Sequence, residues 1–138
     1  MGGINVYCGS FKSVDKSCSA FEGVLAGMDQ MGSERERAVI ARINAALEHA
    51  NDHILIEPED ARTLLPLLRR YAAGVDSQLA IPGDPWDQME RDDRGLPARR
   101  QVDLKYGEGL GWRAWCAREL LGAFETADAK SEQVALVW

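Results

Sequence analysis

Val134-Ala-Leu-Val-Trp138 is the run on which the reading of this chain turns. Residues of both parities in it are apolar, so a strand built from it presents apolar side chains to both faces of a sheet. That is the pattern of an interior strand rather than an edge strand. A segment of this kind is expected to be woven into the core rather than to trail from it. Upstream, Trp112, Trp115, Cys116, Leu120, Ala123, Phe124 and Ala127 recur at helical spacing and predict a helix from about Trp112 to Ala127. Farther upstream, Gln101-Val-Asp-Leu-Lys-Tyr106 alternates strictly, which predicts a half-buried strand with Val102, Leu104 and Tyr106 facing inward.

The first half of the chain reads just as locally. Ile4-Asn-Val-Tyr7, bounded by glycines, predicts a short strand, and a serine-rich turn is expected after it. Cys18, Phe21, Leu25 and Met28 mark a helix over residues 17–30, although Gly23 and Gly27 each weaken it by about 1 kcal/mol relative to alanine. Ser33 followed by Glu36 is a capping-box signature. Val39, Ile40, Ile43, Leu47 and Ala50 then share one helical face. Asn51-Asp52 ends that helix, and His53-Ile-Leu-Ile56 predicts a compact apolar strand. Pro58 suits the first position of a helix, and Glu59 and Asp60 complement the positive end of its dipole. Its apolar series Ala61, Leu64, Leu65, Leu68, Tyr71 and Val75 runs toward Gly74 as the expected terminator. Pro66 falls on the face shared with Arg62, Arg69 and Arg70, where a bend is tolerated. Residues 76–100 lack periodicity and read as a long loop.

These elements predict an α+β fold: one compact domain of 138 residues, with a short mixed four-stranded sheet packed by three to four helices on one or both faces. The net charge of −6 comes from 22 acidic and 16 basic residues, the latter scattered as pairs such as Arg69-Arg70 and Arg99-Arg100. Nucleic-acid binding relies on clustered cations, so that class of partner is disfavoured; an acidic surface suits a basic protein partner. Cys8, Cys18 and Cys116 show no CxxC spacing and read as reduced thiols. With no secretory pattern and no apolar run of membrane-spanning length, a cytoplasmic location is expected, with no cofactor and no membrane partner.

Several groups have the residue types of a site. Asp87, Glu90, Asp92 and Asp93, with Trp86 and Met89 among them, form an acidic loop that suits a surface aimed at a basic protein; Trp112 is a candidate extension of it. Lys105, Gly107, Gly109, Gly111 and Arg113 resemble a phosphate cradle at a helix start. The spacing matches neither the dinucleotide nor the P-loop pattern, and Glu108 opposes an anion. His49 and His53 have metal-pair spacing, but the helix between them ends and no third ligand follows, so no metal site is expected. Cys8 at a strand end has nucleophile-like placement, yet free cysteine most often behaves as a small buried hydrophobe.

No catalytic constellation emerges, and the balance of charge, size and loop chemistry favours a non-enzymatic protein–protein interaction module. Its concrete form is a small acidic inhibitor or immunity-type protein that masks a basic target. The alternatives are a small enzyme or anion-binding domain built on Gly107–Arg113, and a homo-oligomeric structural subunit.

Overall fold

A computed structural model describes residues 4–16, 18–79, 93–94 and 110–138. Strand β1 (Ile4–Cys8) turns at Gly9, whose φ of 55° is in the left-handed region that glycine tolerates, into β2 (Phe11–Lys16). Helices α1 (Cys18–Met31) and α2 (Glu34–His49) lead to strand β3 (His53–Ile56) and the long helix α3 (Pro58–Leu79). Helix α4 (Leu110–Lys130) then feeds strand β4 (Val134–Val137). The sheet order is β2-β1-β4-β3, and every neighbouring pair is antiparallel. The α+β class therefore holds, while the pairing is antiparallel where a mixed sheet was expected.

The terminal run is an interior strand, as its two apolar faces required. Asn5, Val6 and Tyr7 pair with Val137, Leu136 and Ala135 on one side of β4. His53, Ile54, Leu55 and Ile56 pair with Val137, Leu136, Ala135 and Val134 on the other. The Trp138 amide extends the ladder by donating to the Asp52 carbonyl at 2.8 Å. One face of the sheet carries Ile4, Val6, Cys8, Ile54, Ile56, Val134 and Leu136, all buried. The helices lie over that face, with α4 against β1, β2 and β4, and α2 against β3.

The capping box forms as its sequence predicts. The Glu36 amide donates to the Ser33 hydroxyl at 3.2 Å, and the Ser33 amide donates to the Glu36 carboxylate at 2.9 Å. Pro58 opens α3, and Pro66 is exposed, so the missing hydrogen bond faces water. Three expectations change. The serine-rich segment after Gly9 is β2 rather than a turn, because Phe11 and Ser13 pair with Cys8 and Val6. Gly74 does not end α3, which runs on to Leu79 because nothing else there breaks its hydrogen-bond ladder. α4 starts at Leu110, two residues before the expected Trp112. The expected strand at 101–106 lies outside the described residues.

α3 and α4 are an antiparallel pair at the centre of the helical layer. Buried Leu64, Leu67, Leu68, Tyr71 and Val75 belong to α3, and buried Ala117, Leu120, Ala123, Phe124 and Ala127 to α4. Ion pairs flank the seam at seven-residue intervals along α3: Arg62 with Asp128 at 3.0 Å, Arg69 with Glu125 at 3.7 Å, and Arg118 with Asp76 at 2.9 Å. Most of these groups are well exposed, so each pair is worth at most about 1 kcal/mol and sets register more than stability.

Two helical glycines, Gly27 of α1 and Gly122 of α4, have a packing reason. A methyl group on Gly27 would collide with the buried Tyr71 ring of α3, and one on Gly122 would collide with Phe11 of β2. Gly74, by contrast, faces open space. Gly74→Ala is therefore expected to raise stability by about 0.5–1 kcal/mol through helix propensity alone. Gly27→Ala should lower it, because overpacking costs roughly 1–3 kcal/mol and outweighs that gain. Paired urea unfolding curves measure both. Deleting residues 134–138 is expected to abolish cooperative unfolding, since β4 joins the two halves of the sheet; circular dichroism melting of the truncated chain checks this.

Candidate functional site

Direct cross-strand partners share a face, and the register defines what the sheet shows on the side opposite the helices. One row across that side runs Lys12, Tyr7, Ala135 and Leu55; a second runs Asn5, Val137 and His53. Leu55 is 51% exposed, Lys12 and His53 are exposed, and the other four are half-buried. Among the described residues no helix covers this face. Its apolar stretch of Tyr7, Ala135, Val137 and Leu55 reaches the β3 edge at Leu55, while Lys12 stands at the opposite edge; the exposed acidic residues Asp52 and Glu57 bracket β3 in sequence. The Asp52 carboxylate lies 2.6 Å from Nδ1 of His53, and Glu57 accepts from the Gln133 side chain at 2.6 Å.

The edge at β3 adds backbone groups. Because Asp52 and Trp138 exchange a ladder bond, the alternation of antiparallel pairs makes Ile54 and Ile56 bond inward to β4. The amides and carbonyls of His53 and Leu55 are thereby turned toward the outer edge.

A cleft of about 800 Å³ lies between α2 and α3, lined by Arg35, Glu36, Val39, Arg42, Asp60 and Arg62 among others. Its charges largely satisfy one another. Arg42 binds Asp60 at 2.5 Å, Arg62 reaches Asp128 and the Ser131 hydroxyl, and Arg70 lies 3.6 Å from Glu36. This cleft therefore ties α2 to α3 and lacks the surplus charge that would hold an ionic ligand. A smaller pocket of about 520 Å³ lies where α1, α2 and the end of the sheet meet, lined by Ile4, Phe21, Glu22, Asn44, Leu47, Glu48, Ala50 and Trp138.

Of the sequence-derived candidates, Asp93, Gly111, Trp112 and Arg113 are among the described residues. Trp86, Asp87, Glu90 and Asp92 lie outside the described residues, as do Lys105, Gly107 and Gly109. Asp93 is an exposed turn residue beside Arg94, whose guanidinium meets the Glu119 carboxylate of α4 at 2.5 Å. Glu119 is only 1% exposed, so this contact neutralises a buried charge and anchors the turn to α4. Gly111 belongs to the first turn of α4 instead of preceding it, and Trp112 is the next residue of that helix. The Arg113 side chain lies over Gly23 of α1 and is exposed. Sequence reasoning missed Tyr7, Leu55, Val137 and Trp138 as surface residues. The available signal was Leu55, an apolar residue out of phase with Ile54 and Ile56.

Cys8 is a buried thiol 3.9 Å from the Glu132 carbonyl. Burial raises its pKa, and the Glu132 carboxylate raises it further against a smaller opposing pull from Lys130. Cys116 is buried as well. Burial likewise raises the pKa of the Tyr71 hydroxyl, partly offset by Arg113. None of this is the environment of an activated nucleophile, which needs a stabilised thiolate. His53 turns Nδ1 to Asp52 at the sheet's outer end.

Comparison of the chain with protein-family models, with curated proteins and with solved structures returns no match.

A thiol whose folded pKa is raised stabilises the fold fully below its unfolded pKa, and that contribution is lost as pH rises through the folded value. The thermal midpoint is therefore expected to fall on the alkaline side of the ordinary thiol range. At pH 8, Cys8 and Cys116 should react with a chromogenic disulfide reagent only as fast as the protein unfolds. A stoichiometric burst assigned to Cys8 by peptide mapping would mean that the thiol is accessible and activated.

Proposed function

We propose that this protein is a non-enzymatic protein–protein interaction module that docks a partner on the sheet face that no described helix covers. The observation that carries this reading is Leu55, half exposed on the edge strand β3 at the end of a row in which Ala135 and Tyr7 lie beside it, with the acidic residues Asp52 and Glu57 on either side of its strand in sequence. Burying a leucine that is already half covered contributes roughly 1 kcal/mol to an interface, and tyrosine is among the residues that dominate interface energetics. The net charge of −6 favours a basic partner, because complementary potentials speed encounter and exclude acidic competitors. Trp86, Asp87, Glu90, Asp92 and Asp93 form the second acidic element of this proposal, with Trp112 as its extension. In its most concrete form the protein is a small acidic antagonist, of inhibitor or immunity type, that masks a basic surface on its target.

Self-association is the second reading, favoured by the outward backbone groups of His53 and Leu55 at the β3 edge. The two separate on solution mass and on one substitution. The expected result is a monomer by sedimentation equilibrium and salt-sensitive capture of one identified basic protein from the source cells. Capture should be lost with Leu55→Asp and retained with Pro66→Ala on the exposed face of α3. A dimer dissociated by Leu55→Asp would instead assign the face to a second copy. Unchanged capture by Leu55→Asp overturns the sheet-face assignment. Capture that withstands joint charge reversal at Asp87, Glu90, Asp92 and Asp93 overturns the loop assignment.

A further inference from the structure

We propose that the pocket beside Trp138 receives one basic side chain, lysine or arginine, presented by the protein partner. The pocket has about 520 Å³, within the range of small-ligand sites and ample for one long side chain. Ile4 and Phe21 are buried in its walls, and Leu47, Ala50 and Trp138 are half-buried there. Its charged groups among the described residues are Glu22 and Glu48, both exposed, and no described lysine, arginine or histidine lines it. Neither carboxylate forms an ion pair with any described residue, in contrast to Asp60 and Glu36 of the α2/α3 cleft, which are held by Arg42 and Arg70.

That combination selects its occupant. A lysine or arginine stem is apolar and covers hydrophobic surface while its head group stays near water. The stem suits the Ile4, Phe21 and Leu47 walls, and the head suits Glu22, Glu48 and the indole of Trp138, since cations are attracted to tryptophan rings. An acidic ligand would meet two like charges. A neutral apolar ligand would leave both carboxylates unmatched and partly desolvated. The pocket lies on the helix side at one end of the sheet, next to the end of the docking face. Ile4 precedes Asn5 and Trp138 follows Val137, and Asn5 and Val137 are paired neighbours in the outer row at that end of the sheet.

The inference rests on the docking function only for the source of the side chain, so the test uses small probes that need no partner. The isotope-labelled full chain is titrated with N-acetyl-lysine amide, N-acetyl-arginine amide, N-acetyl-norleucine amide and N-acetyl-glutamate amide, and the Asn44 side-chain amide and Trp138 indole resonances are followed. The two basic probes are expected to shift both resonances with millimolar affinity, on the order of one side chain's worth of binding. The double variant Glu22→Gln/Glu48→Gln should weaken them about fivefold, as expected for exposed charge pairs, with an unchanged melting temperature. Added salt should weaken them too. Norleucine amide binding as well as lysine amide, or a double variant that binds lysine amide like the wild type, overturns the proposal. So does the absence of any shift with the basic probes. A failed titration with Leu55-dependent capture intact removes the pocket alone; the reverse outcome removes the sheet face alone.

Discussion

The fold depends on one insertion: β4 enters between β1 and β3 and hydrogen-bonds to both. Without it the chain has an N-terminal hairpin, β1 with β2, and a four-residue strand, β3, that has no other partner among the described residues. Isolated hairpins are marginal in water, and a single strand has no stability of its own. β4 makes one sheet of these pieces and buries Val134 and Leu136 between Val6, Ile54 and Ile56. It also positions α4, which must descend to meet it and in doing so packs against α3, α1 and the sheet.

From that constraint the one-sided architecture follows. α4 is held over β1 and β2 at the sheet and against α3 on its far side, so the helices stack upon one another above a single face. Gly27 and Gly122 let this stack close, because Tyr71 and Phe11 occupy the space that side chains there would need. The propensity cost of those glycines is thus exchanged for helix and sheet contact. The face left over carries a row that runs from Lys12 at one edge through Tyr7 and Ala135 to Leu55 at the other, and the end of the sheet opens into a pocket whose carboxylates have no ion-pair partner among the described residues. Both proposed contacts share a physical origin: charge and apolar surface that the fold does not satisfy internally.

How much could be read beforehand varies by element. Ser33 with Glu36, Pro58 with Glu59 and Asp60, and the apolar spacing of α2 and α3 are interactions within a turn or two, and the structure repeats them. β2 was illegible because Phe11–Lys16 has no clear alternation, and its strand conformation comes from pairing with β1 across Gly9. The continuation of α3 past Gly74 was also illegible, because a single glycine only weakens a helix, and neighbouring packing outweighs that cost. For the candidate site, the acidic loop was visible as composition, with only Asp93 of its acidic residues described. The sheet face was hidden, because Tyr7, Leu55, Ala135 and Val137 are far apart in sequence.

By itself, the sequence determined the helices, the strands β1 and β3, and the interior position of the last strand. Each of these follows from capping, periodicity or two-faced apolarity inside a short window. Only the tertiary structure decided the antiparallel order β2-β1-β4-β3, the side on which the helices stack and the pocket that joins residues 4, 21, 48 and 138. Those features depend on register between segments 78 to 132 residues apart, where partner surfaces compete for the same backbone hydrogen bonds and no local pattern records which pairing wins.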